Sequence, residues 1–486
     1  MHKLSLILSL FIAIATMLSC DDNDSFTTSS NNLLTLSKES LSLDTVFSKV
    51  PSASKMFKVY NHSGDGIRIQ SVKQEKGANK SGFRVNVNGM FINPDENNAI
   101  NTPIELRNGD SLRVWVELTS LKENYKEEPQ KIEENISFNL ESGRQQVVNL
   151  YAWTWDADTL QNHYIAKDTV IDNHGKTPLV VHGTLTVAPS ATMTVKAGSI
   201  IYFHQDGELD VQGRLVVSGD KDNPVTMRCD RLDSLLQLSY DEIPGKWQGV
   251  MLSEGSHDNS ISYLNLHGAE YGIKCFTTSL TMDHSIVMNV LGDALSSMSS
   301  TVKLENCLLA NASGHCLNII GGDVDVNDCT LASFYGYTAS RKYALRMTDK
   351  FEEGPQAPIK FRMRNSIVTG YADDQVYWFP YDSQADPDVL IQNSYLRTVK
   401  PENEYAKKML QDDLYDVDSD DQYKGRNLFT YVNEDGTSFR YDFTPKEDSP
   451  VIGTADATTS CKDDIKGTAR DDTPDMGCYE YIQPNP

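Results

Sequence analysis

Basic residues are scarce in this 486-residue chain: 44 Lys and Arg stand against 68 Asp and Glu, and the formal net charge is −24. Such a charge repels phosphate backbones, so we expect no nucleic-acid partner. The sequence also lacks a complete phosphate-binding loop, a Gly-x-Ser-x-Gly nucleophile elbow and an HExxH zinc motif. Hydrophobic residues still make up 39% of the chain, too much for wholesale disorder, and the length of 486 residues allows roughly two to four domains.

Long apolar runs are absent apart from one near the start, Leu4 to Leu18. This run is short for a membrane span and has the length of a signal-peptide core. Cys20 follows directly after Ser19, and a small residue before a lone cysteine resembles a bacterial lipobox. The resemblance implies a signal peptide over residues 1–19 and lipidation of Cys20, with palmitate among the expected acyl chains. An ordinary cleavage site beside an incidental cysteine is the alternative.

Residues 20–33 form an acidic stretch that is rich in Ser, Thr and Asn and contains Asp21, Asp22 and Asp24. Its composition predicts a flexible tether. The stretch resembles the acidic export signal of cell-surface lipoproteins in some Gram-negative bacteria. That resemblance implies a lipid anchor in the outer membrane and a protein that faces the cell exterior.

Residues 34–156 alternate apolar and polar positions with a period of two, for example over residues 111–118 and 136–140, and turn signals separate the runs. This pattern predicts an antiparallel β-sandwich. The order of Val59-Tyr60-Asn61, Ile67-Arg68-Ile69 and a Gly-Asp turn resembles immunoglobulin-like domains of the bacterial and ciliary PapD-like kind. The simplest role is a spacer that lifts the rest of the chain from the membrane, and a protein-docking module is the alternative.

The middle of the chain is an internal repeat with a step of 22 residues, seen in the column Tyr263, Ser285, Cys307 and Cys329. Short β-runs at this period fit leucine-rich repeats or a parallel β-helix. The leucine-rich spacing is absent and nothing helical lies between the runs. We therefore expect a β-helix whose equivalent side chains stack about 4.8 Å apart.

A second column of the repeat is polar and consists of Ser262, His284, Asn306, Asp328, Asn365 and Asn393. We expect a turn ladder in which these side chains bond stacked backbone groups, which gives His284 a structural role. Cys307 and Cys329 should point inward as small core residues, because stacked Cβ vectors run parallel and suit a disulfide badly.

Earlier runs have the same texture, such as residues 179–187 and 207–217. With Asn223-Pro224-Val225 and Trp247-Gln248-Gly249, they resemble right-handed parallel β-helix proteins of the pectate-lyase-like superfamily. The resemblance covers about residues 165–394, and we place the β-helix at residues 157–400 of an all-β chain. Function does not follow from it, because this scaffold carries lyases, hydrolases and adhesins.

Two coils exceed the repeat length: Cys329 to Ser366 takes 37 residues and Ser366 to Ser394 takes 28. Extra loops on a regular scaffold are where function is usually added.

Residues 401–486 carry another resemblance. The segments Asp464-Ile465-Lys466-Gly467 and Met476-Gly477-Cys478-Tyr479-Glu480 resemble the closing segment found after many secreted β-helices. This implies a cap over the open end of the solenoid. A disulfide between Cys461 and Cys478 is plausible in an exported protein.

Candidate ligand-binding residues lie in the two long coils. Lys360, Arg362 and Arg364 alternate with apolar residues and share one outward face, where they could grip a uronate-rich polysaccharide. A charge ladder with Asp323 and Asp325 on the neighbouring coil explains the same residues.

The segment from Tyr371 to Tyr381 is rich in aromatic residues, which suits stacking against sugars. Tyr377, Trp378 and Tyr381 are the candidates there, with Arg341, Lys342 and Tyr343 from the neighbouring insertion. The alternative is that Trp378 and Phe379 pack over the rod.

The acidic segment 412–421 hints at Ca²⁺, but the Gly and Glu positions of an EF-hand are not filled. A solvated acidic loop is the simpler interpretation, and we expect no cofactor.

These observations favour a cell-surface lipoprotein whose β-helix binds a polysaccharide or a surface protein partner without catalysis. A polysaccharide lyase or glycoside hydrolase that works in a groove along the helix is the alternative. It ranks second, and no carboxylate pair for acid/base catalysis can be placed from the sequence. A purely structural or adhesive protein is the third possibility.

Overall fold

The structure is a computed structural model that describes residues 25–121, 128–175, 177–235, 238–338, 342–350, 356–379, 388–402, 404–432 and 441–483. Cys20 and the rest of the expected leader lie outside this range. The described residues form two compact units. The first contains residues 25–121 and 129–154, and the second contains residue 128 and residues 155–483.

The first unit is built from two sheets of mostly antiparallel strands. The seven-stranded sheet contains Phe26–Thr27, Ser40–Phe47, Gly66–Gln74, Ala99–Ile100, Ile104–Leu106, Gln130–Leu140 and Gln145–Trp155. The five-stranded sheet contains Thr35–Leu36, Lys55–Tyr60, Phe83–Val87, Met90–Phe91 and Ser111–Leu118.

Alternation along the strands explains why these two sheets pack together. In Ser111–Leu118 every second residue is buried, because successive side chains of a strand point to opposite faces. Strands of both sheets contribute to one hydrophobic core, with Val114 from one sheet and Phe138 from the other. The unit is therefore a β-sandwich, and its relation to immunoglobulin-like domains stays a prediction.

The second unit is a parallel β-helix, as expected, with three faces on which each strand pairs in parallel with the strand one coil further on. The first coil is opened by Asp158–Ile165, which pairs with Leu179–Val187. The first face contains Leu179–Val187, Ile200–Phe203, Val225–Cys229, Leu264–His267, Ile286–Val290, Leu308–Ala312, Thr330–Ser333, Ile367–Gly370, Tyr395–Leu396 and Leu414–Tyr415.

Long strands turn a corner and serve two faces. The second face contains Leu179–Val187, Glu208–Val211, Gly249–Leu252, Ile273–Phe276, Leu295–Glu305, Leu317–Asn327, Leu345–Thr348 and Val376–Phe379. The third face contains Thr169–Ile171, Thr192–Lys196, Arg214–Ser218, Asn259–Ser262, Ser279–Asp283, Leu295–Glu305, Leu317–Asn327, Ile359–Arg364, Val389–Gln392 and Leu410–Gln411. The coils thus continue past residue 400.

Other elements are short. Two hairpins pair Ser234–Leu235 with Leu238–Ser239 and Phe429–Val432 with Tyr441–Pro445. The helical segments are Ala78–Ser81, Pro94–Glu96, Tyr240–Glu242, Glu404–Met409, Asp416–Asp418, Asp421–Tyr423 and Gly425–Leu428. Among the residues that the structure describes, no helix has the length and apolarity needed to cross a membrane.

The repeat column that contains Cys307 is confirmed for three of its four predicted members and shifted for the fourth. Ile286 pairs with Leu308 and Leu308 with Thr330, which aligns Ser285, Cys307 and Cys329. The preceding coil is one residue shorter than the two that follow it, because Ser262 pairs with Asp283. Tyr263 therefore aligns with His284, and their rings stack with centroids 4.6 Å apart.

The polar column occupies a left-handed backbone position at the corner between the third and first faces. After the one-residue correction from Ser262 to Tyr263, its members have φ between 46° and 53°: Tyr263, His284, Asn306, Asp328, Asn365 and Asn393. Asn and Asp tolerate this conformation better than other non-glycine residues. Backbone geometry thus explains the residue types, and His284 is structural, bonded through Nδ1 to Asp283.

The C-terminal segment covers the flank of the helix, so the expectation of a cap over its open end was wrong. In the later coils of the first face, outward side chains such as Leu308 and Ile367 are apolar, and they form a second core with Val451, Ile465 and Met476. Cys478 donates its backbone N–H to the Thr330 hydroxyl, and Cys461 donates its backbone N–H to Asp328. An apolar outer face explains the location, since it needs a cover that a polar face does not.

The cysteines of the β-helix unit, from Cys229 to Cys478, are free thiols. The disulfide expected between Cys461 and Cys478 is not formed, because their backbones are fixed by separate partners on the helix flank. Cys307 and Cys329 are fully buried and unbridged, as predicted.

Candidate functional site

A cleft of about 480 Å³ lies over the second face, where two long coils interrupt the 22-residue repeat. Its walls combine cationic, aromatic and amide side chains with one carboxylate. The lining residues are Asp293, His315, Asn318, Ile320, Lys342, Tyr343, Arg346, Lys350 and Tyr377.

The floor of the cleft is a column of outward-facing residues on three successive coils. Asn318 pairs with Arg346, and Arg346 pairs with Tyr377. Their strand neighbours Leu317 and Leu345 are buried in the helix core. Because side chains alternate along a strand, burying the leucines turns the polar neighbours outward.

Two tyrosines form one wall. Tyr343 precedes the strand Leu345–Thr348, and its ring lies 4.8 Å from that of Tyr377 with an interplanar angle of 32°. Aromatic faces offer apolar surface next to a hydroxyl group, a combination that suits the mixed surface of a sugar ring.

A hydrogen-bond network fixes the polar side of the cleft. Arg346 Nη1 donates to Asn318 Oδ1 at 2.9 Å, and Asn318 Nδ2 donates to Asp293 Oδ2 at 2.8 Å. Asp293 Oδ1 also accepts from the backbone N–H of His315 at 2.7 Å and lies 3.0 Å from His315 Nδ1. The network holds Arg346 in place and leaves the remaining guanidinium N–H groups for other acceptors.

The protonation state of Asp293 follows from the same bonds. Burial alone would raise the pKa of this carboxyl group, but the bonds from the His315 side chain and backbone and from Asn318 outweigh burial. The pKa of Asp293 is therefore held below its usual value, and the group is ionised at neutral pH.

The charge of the cleft is opposite to that of the whole chain. Lys342, Arg346 and Lys350 line it, whereas Asp293 is the single carboxylate among the described lining residues. In a chain of net charge −24, this is a local cationic site. Low-dielectric walls around such a site concentrate its field on an anionic ligand.

The sequence-based candidates are only partly brought together. Tyr377 lines the cleft with Lys342 and Tyr343. Trp378 does not, because it alternates with Tyr377 and packs against the helix core beside Met347, as the alternative interpretation held. Arg341 and Tyr381 lie outside the described residues.

Arg362 and Arg364 lie on the third face and do not reach the cleft. Lys360 pairs with Asp323 at 2.9 Å, and Arg364 pairs with Asp325 at 2.8 Å. Arg362 bonds Asp388 instead of the directly opposite Asp325. The charge ladder therefore explains these cations, with one exchange of partners.

Asp293, His315, Asn318, Arg346 and Lys350 were not predicted from the sequence. The two long steps of the repeat show which coils carry extra residues. They do not show between which faces of each coil those residues are inserted. On the second face Leu317 pairs with Leu345, and Leu345 pairs with Val376. The spacing between successive coils on this face therefore differs from the spacing in the column of Cys329, Ser366 and Ser394. Arg346 could have been found only by aligning that face separately.

The acidic segment 412–421 closes the last coil. Asp416 accepts hydrogen bonds from Arg397, Tyr395 and the backbone of Gly425. Burial raises the pKa of Asp413 to about 8, although the carboxyl group accepts a bond from the backbone of Ser394. These two carboxylates serve the fold, and the calcium interpretation gains no support from them.

Comparison with known proteins adds no functional assignment: no family model matches the chain, and no curated protein matches it.

Proposed function

We propose that this protein binds an anionic polysaccharide in the cleft of the second face and does not cleave it. The observation that carries the proposal is the arrangement of Lys342, Arg346 and Lys350 around the paired rings of Tyr343 and Tyr377. Cations attract the carboxylate or sulfate groups of such a polymer, and the rings stack on its sugars.

Energetics favour an anionic ligand over a neutral one. A hydrogen bond to a charged group contributes about 1.5–3 kcal/mol, and an aromatic contact contributes about 1 kcal/mol. A neutral glycan would gain only the second kind of contact.

Among the described residues the cleft has one carboxylate, which supports binding without hydrolysis. Glycoside hydrolases use two carboxyl groups on either side of the scissile bond. The described cleft residues include only Asp293, and its oxygens are bonded to His315 and Asn318.

The second candidate is a polysaccharide lyase, which one observation favours. Asp293 holds His315 through Nδ1 at 3.0 Å, which leaves Nε2 of the ring as a base near Arg346 and the lysines. A base and a cation beside a uronate carboxylate could remove the proton on the carbon next to that carboxylate and stabilise the resulting charge. The bond to the glycosidic oxygen on the following carbon then breaks, a carbon–carbon double bond forms, and the leaving oxygen takes up a proton.

The test is a binding panel with the full chain purified in detergent. Uronate-rich and sulfated polysaccharides and neutral polysaccharides of similar length are titrated calorimetrically. We expect at least one anionic polymer to bind, with affinity falling as salt rises, and Arg346→Gln to weaken binding about tenfold.

Arg364→Gln is the matched control, because it removes the same charge from an outward strand position on another face. We expect it to leave binding unchanged. Failure of every anionic polymer to bind, or equal effects of the two variants, would refute the proposal. A new double bond in the polymer, seen as near-ultraviolet absorbance, would establish the lyase.

The cellular setting belongs to the same proposal. A lipid on Cys20 and an outer-membrane position that faces the exterior are supported by the apolar run 4–18 and the acidic tether. Labelling cells with an alkyne analogue of palmitate tests this. Label should enter the wild-type chain and not Cys20→Ala, and external protease should digest the protein on intact cells.

The finer assignments of fold family are proposals as well. Parallel coils and a left-handed Asn/Asp column support a pectate-lyase-like helix, and the two-sheet first unit supports an immunoglobulin-like domain. A surface protein remains the alternative partner. A pull-down with the Arg346→Gln and Arg364→Gln variants tests it, because a partner that binds in the cleft is lost with the first variant and kept with the second.

A further inference from the structure

Three side chains with metal-binding atoms meet on an early coil of the β-helix, far along the chain from the cleft residues. They are His182, His204 and Asp206. One ligand atom from each lies within 4.8 Å of the corresponding atoms of the other two. The group is part of neither the cleft nor the charge ladder.

Stacking of coils brings the two histidines together. Val181 pairs with Phe203 on the first face, so His182 and His204 occupy equivalent positions one coil apart. Their ring centroids are 4.6 Å apart, with an interplanar angle of 34°. Their separation in sequence, one full coil, matches no linear metal motif, and only the stacking of coils makes them neighbours.

A tight turn supplies the carboxylate. Gly207 donates its backbone N–H to the carbonyl oxygen of His204 at 2.7 Å, which folds the chain back and places Asp206 beside the rings. A Cβ on Gly207 would lie 2.9 Å from the carbonyl oxygens of His204 and Val181. Glycine therefore permits the turn that completes the group.

A buried carboxylate orients one of the rings. His204 Nδ1 lies 2.7 Å from Asp230 Oδ2, and Asp230 is only 2% exposed. This bond leaves Nε2 of His204 as the nitrogen available to a metal. Metal-binding histidines usually have such an outer carboxylate or carbonyl partner, which fixes the tautomer and raises the basicity of the ligand.

A neighbouring guanidinium, that of Arg231, has its own carboxylate partner. Arg231 forms its ion pair with Asp233 at 2.6 Å. His182 and His204 are partly accessible, and Asp206 is exposed. A tetrahedral zinc site places its ligand atoms about 3.3 Å apart, a contraction that rotation of accessible side chains can supply.

We propose that His182, His204 and Asp206 bind one divalent transition-metal ion of the Zn²⁺ class, with Asp230 as the positioning residue behind His204. Two imidazoles and one carboxylate suit Zn²⁺, Co²⁺ or Ni²⁺ and not Ca²⁺, which prefers an all-oxygen shell. Three protein ligands leave a fourth position open to water or to a ligand.

The test is calorimetric titration of ZnCl₂ into the full chain, together with visible absorption of the Co²⁺-loaded protein. We expect His182→Gln and His204→Gln each to lower Zn²⁺ affinity at least tenfold and to remove the Co²⁺ bands of a tetrahedral site. Asp230→Asn should weaken binding about tenfold, since it removes only the outer partner.

His257→Gln is the control. His257 lies 3.2 Å from the carboxylate of Asp258, but among the described residues it belongs to no group of three possible metal ligands. Its Zn²⁺ affinity should equal that of the wild type. His182 is partly exposed, so His182→Gln should fold even if Asp230→Asn does not. No Zn²⁺ binding by the wild type, or wild-type affinity in His182→Gln, would overturn the proposal.

Discussion

Two faces of the same β-helix each present a group of three cations, and the groups differ in their partners. On the third face, Lys360, Arg362 and Arg364 each bond a carboxylate. On the second face, Arg346 of the cleft donates to the amide oxygen of Asn318, and Asp293, the one carboxylate among the described lining residues, is bonded to His315 and Asn318.

The difference shows that a row of basic residues indicates a ligand site only when its counter-charges are known. Parallel stacking places acidic and basic residues of neighbouring coils side by side, so a ladder forms wherever the coils are regular. Over the cleft, the long coils interrupt that regularity, and the described lining residues combine Lys342, Arg346 and Lys350 with one carboxylate.

Removing each set of cations is the strongest test of this comparison. We expect Lys342→Gln, Arg346→Gln and Lys350→Gln together to weaken binding of an anionic polysaccharide at least 100-fold, about 2.7 kcal/mol. The triple variant at Lys360, Arg362 and Arg364 should bind within about twofold of the wild type. Isothermal titration calorimetry at 50 mM and 150 mM salt measures both, and equal losses would contradict the distinction between the faces.

Neighbours on one strand sharpen the comparison between outward and inward positions. Trp378→Ala should lower the free energy of unfolding by roughly 2 kcal/mol, because Trp378 packs against the core while remaining partly accessible. Tyr377→Ala should cost little stability but weaken polysaccharide binding about tenfold. Urea unfolding and calorimetry separate the two effects, and the reverse pattern would place Trp378 in the cleft.

Acid should loosen the cleft through Asp293. The pKa of Asp293 is lower in the folded protein than in the unfolded chain, so its ionised form stabilises the fold. This stabilisation is complete above the unfolded pKa of about 4 and is lost as the pH falls through the folded pKa. We expect Asp293→Asn to be about 1 kcal/mol less stable than wild type at pH 6.

That gap should close as pH falls below 4, when the wild-type carboxyl group becomes protonated. Urea unfolding at pH 6, 5, 4 and 3 follows it. A gap independent of pH would mean that Asp293 acts through packing and not through its charge.

The smallest effect is expected from the ladder itself. Arg364→Gln breaks an ion pair in which both side chains are partly exposed, and such pairs contribute about 0.2–1 kcal/mol. We expect a loss of about 0.5 kcal/mol at low salt that disappears at high salt. A loss several times larger that salt does not change would show that Arg364 is a packing residue.

Much of the fold could be predicted from the sequence, because each coil repeats the same local geometry. The constant step of the repeat located the column of Ser285, Cys307 and Cys329, and the residue types of the turn column follow from its left-handed backbone. The Tyr263 alignment was missed by one residue, since a coil one residue shorter leaves no mark in a column of mixed residue types.

The candidate site was harder to predict. Tyr377 and the insertion residues Lys342 and Tyr343 were identified from the aromatic segment and from its position in the long coils of the repeat. Arg346 and Asn318 were not, because their alignment depends on how the extra residues divide between the faces of one coil.

The sequence by itself determined that coils stack, at what period, and which side chains turn inward, because burial and backbone conformation act within a few residues. Only the tertiary structure decided which cations meet carboxylates, that Cys461 and Cys478 lie on separate partners along the flank, and that His182 stands beside His204. Those pairings join residues that are distant in the chain, and a single inserted or missing residue in the coil between them changes which side chains touch.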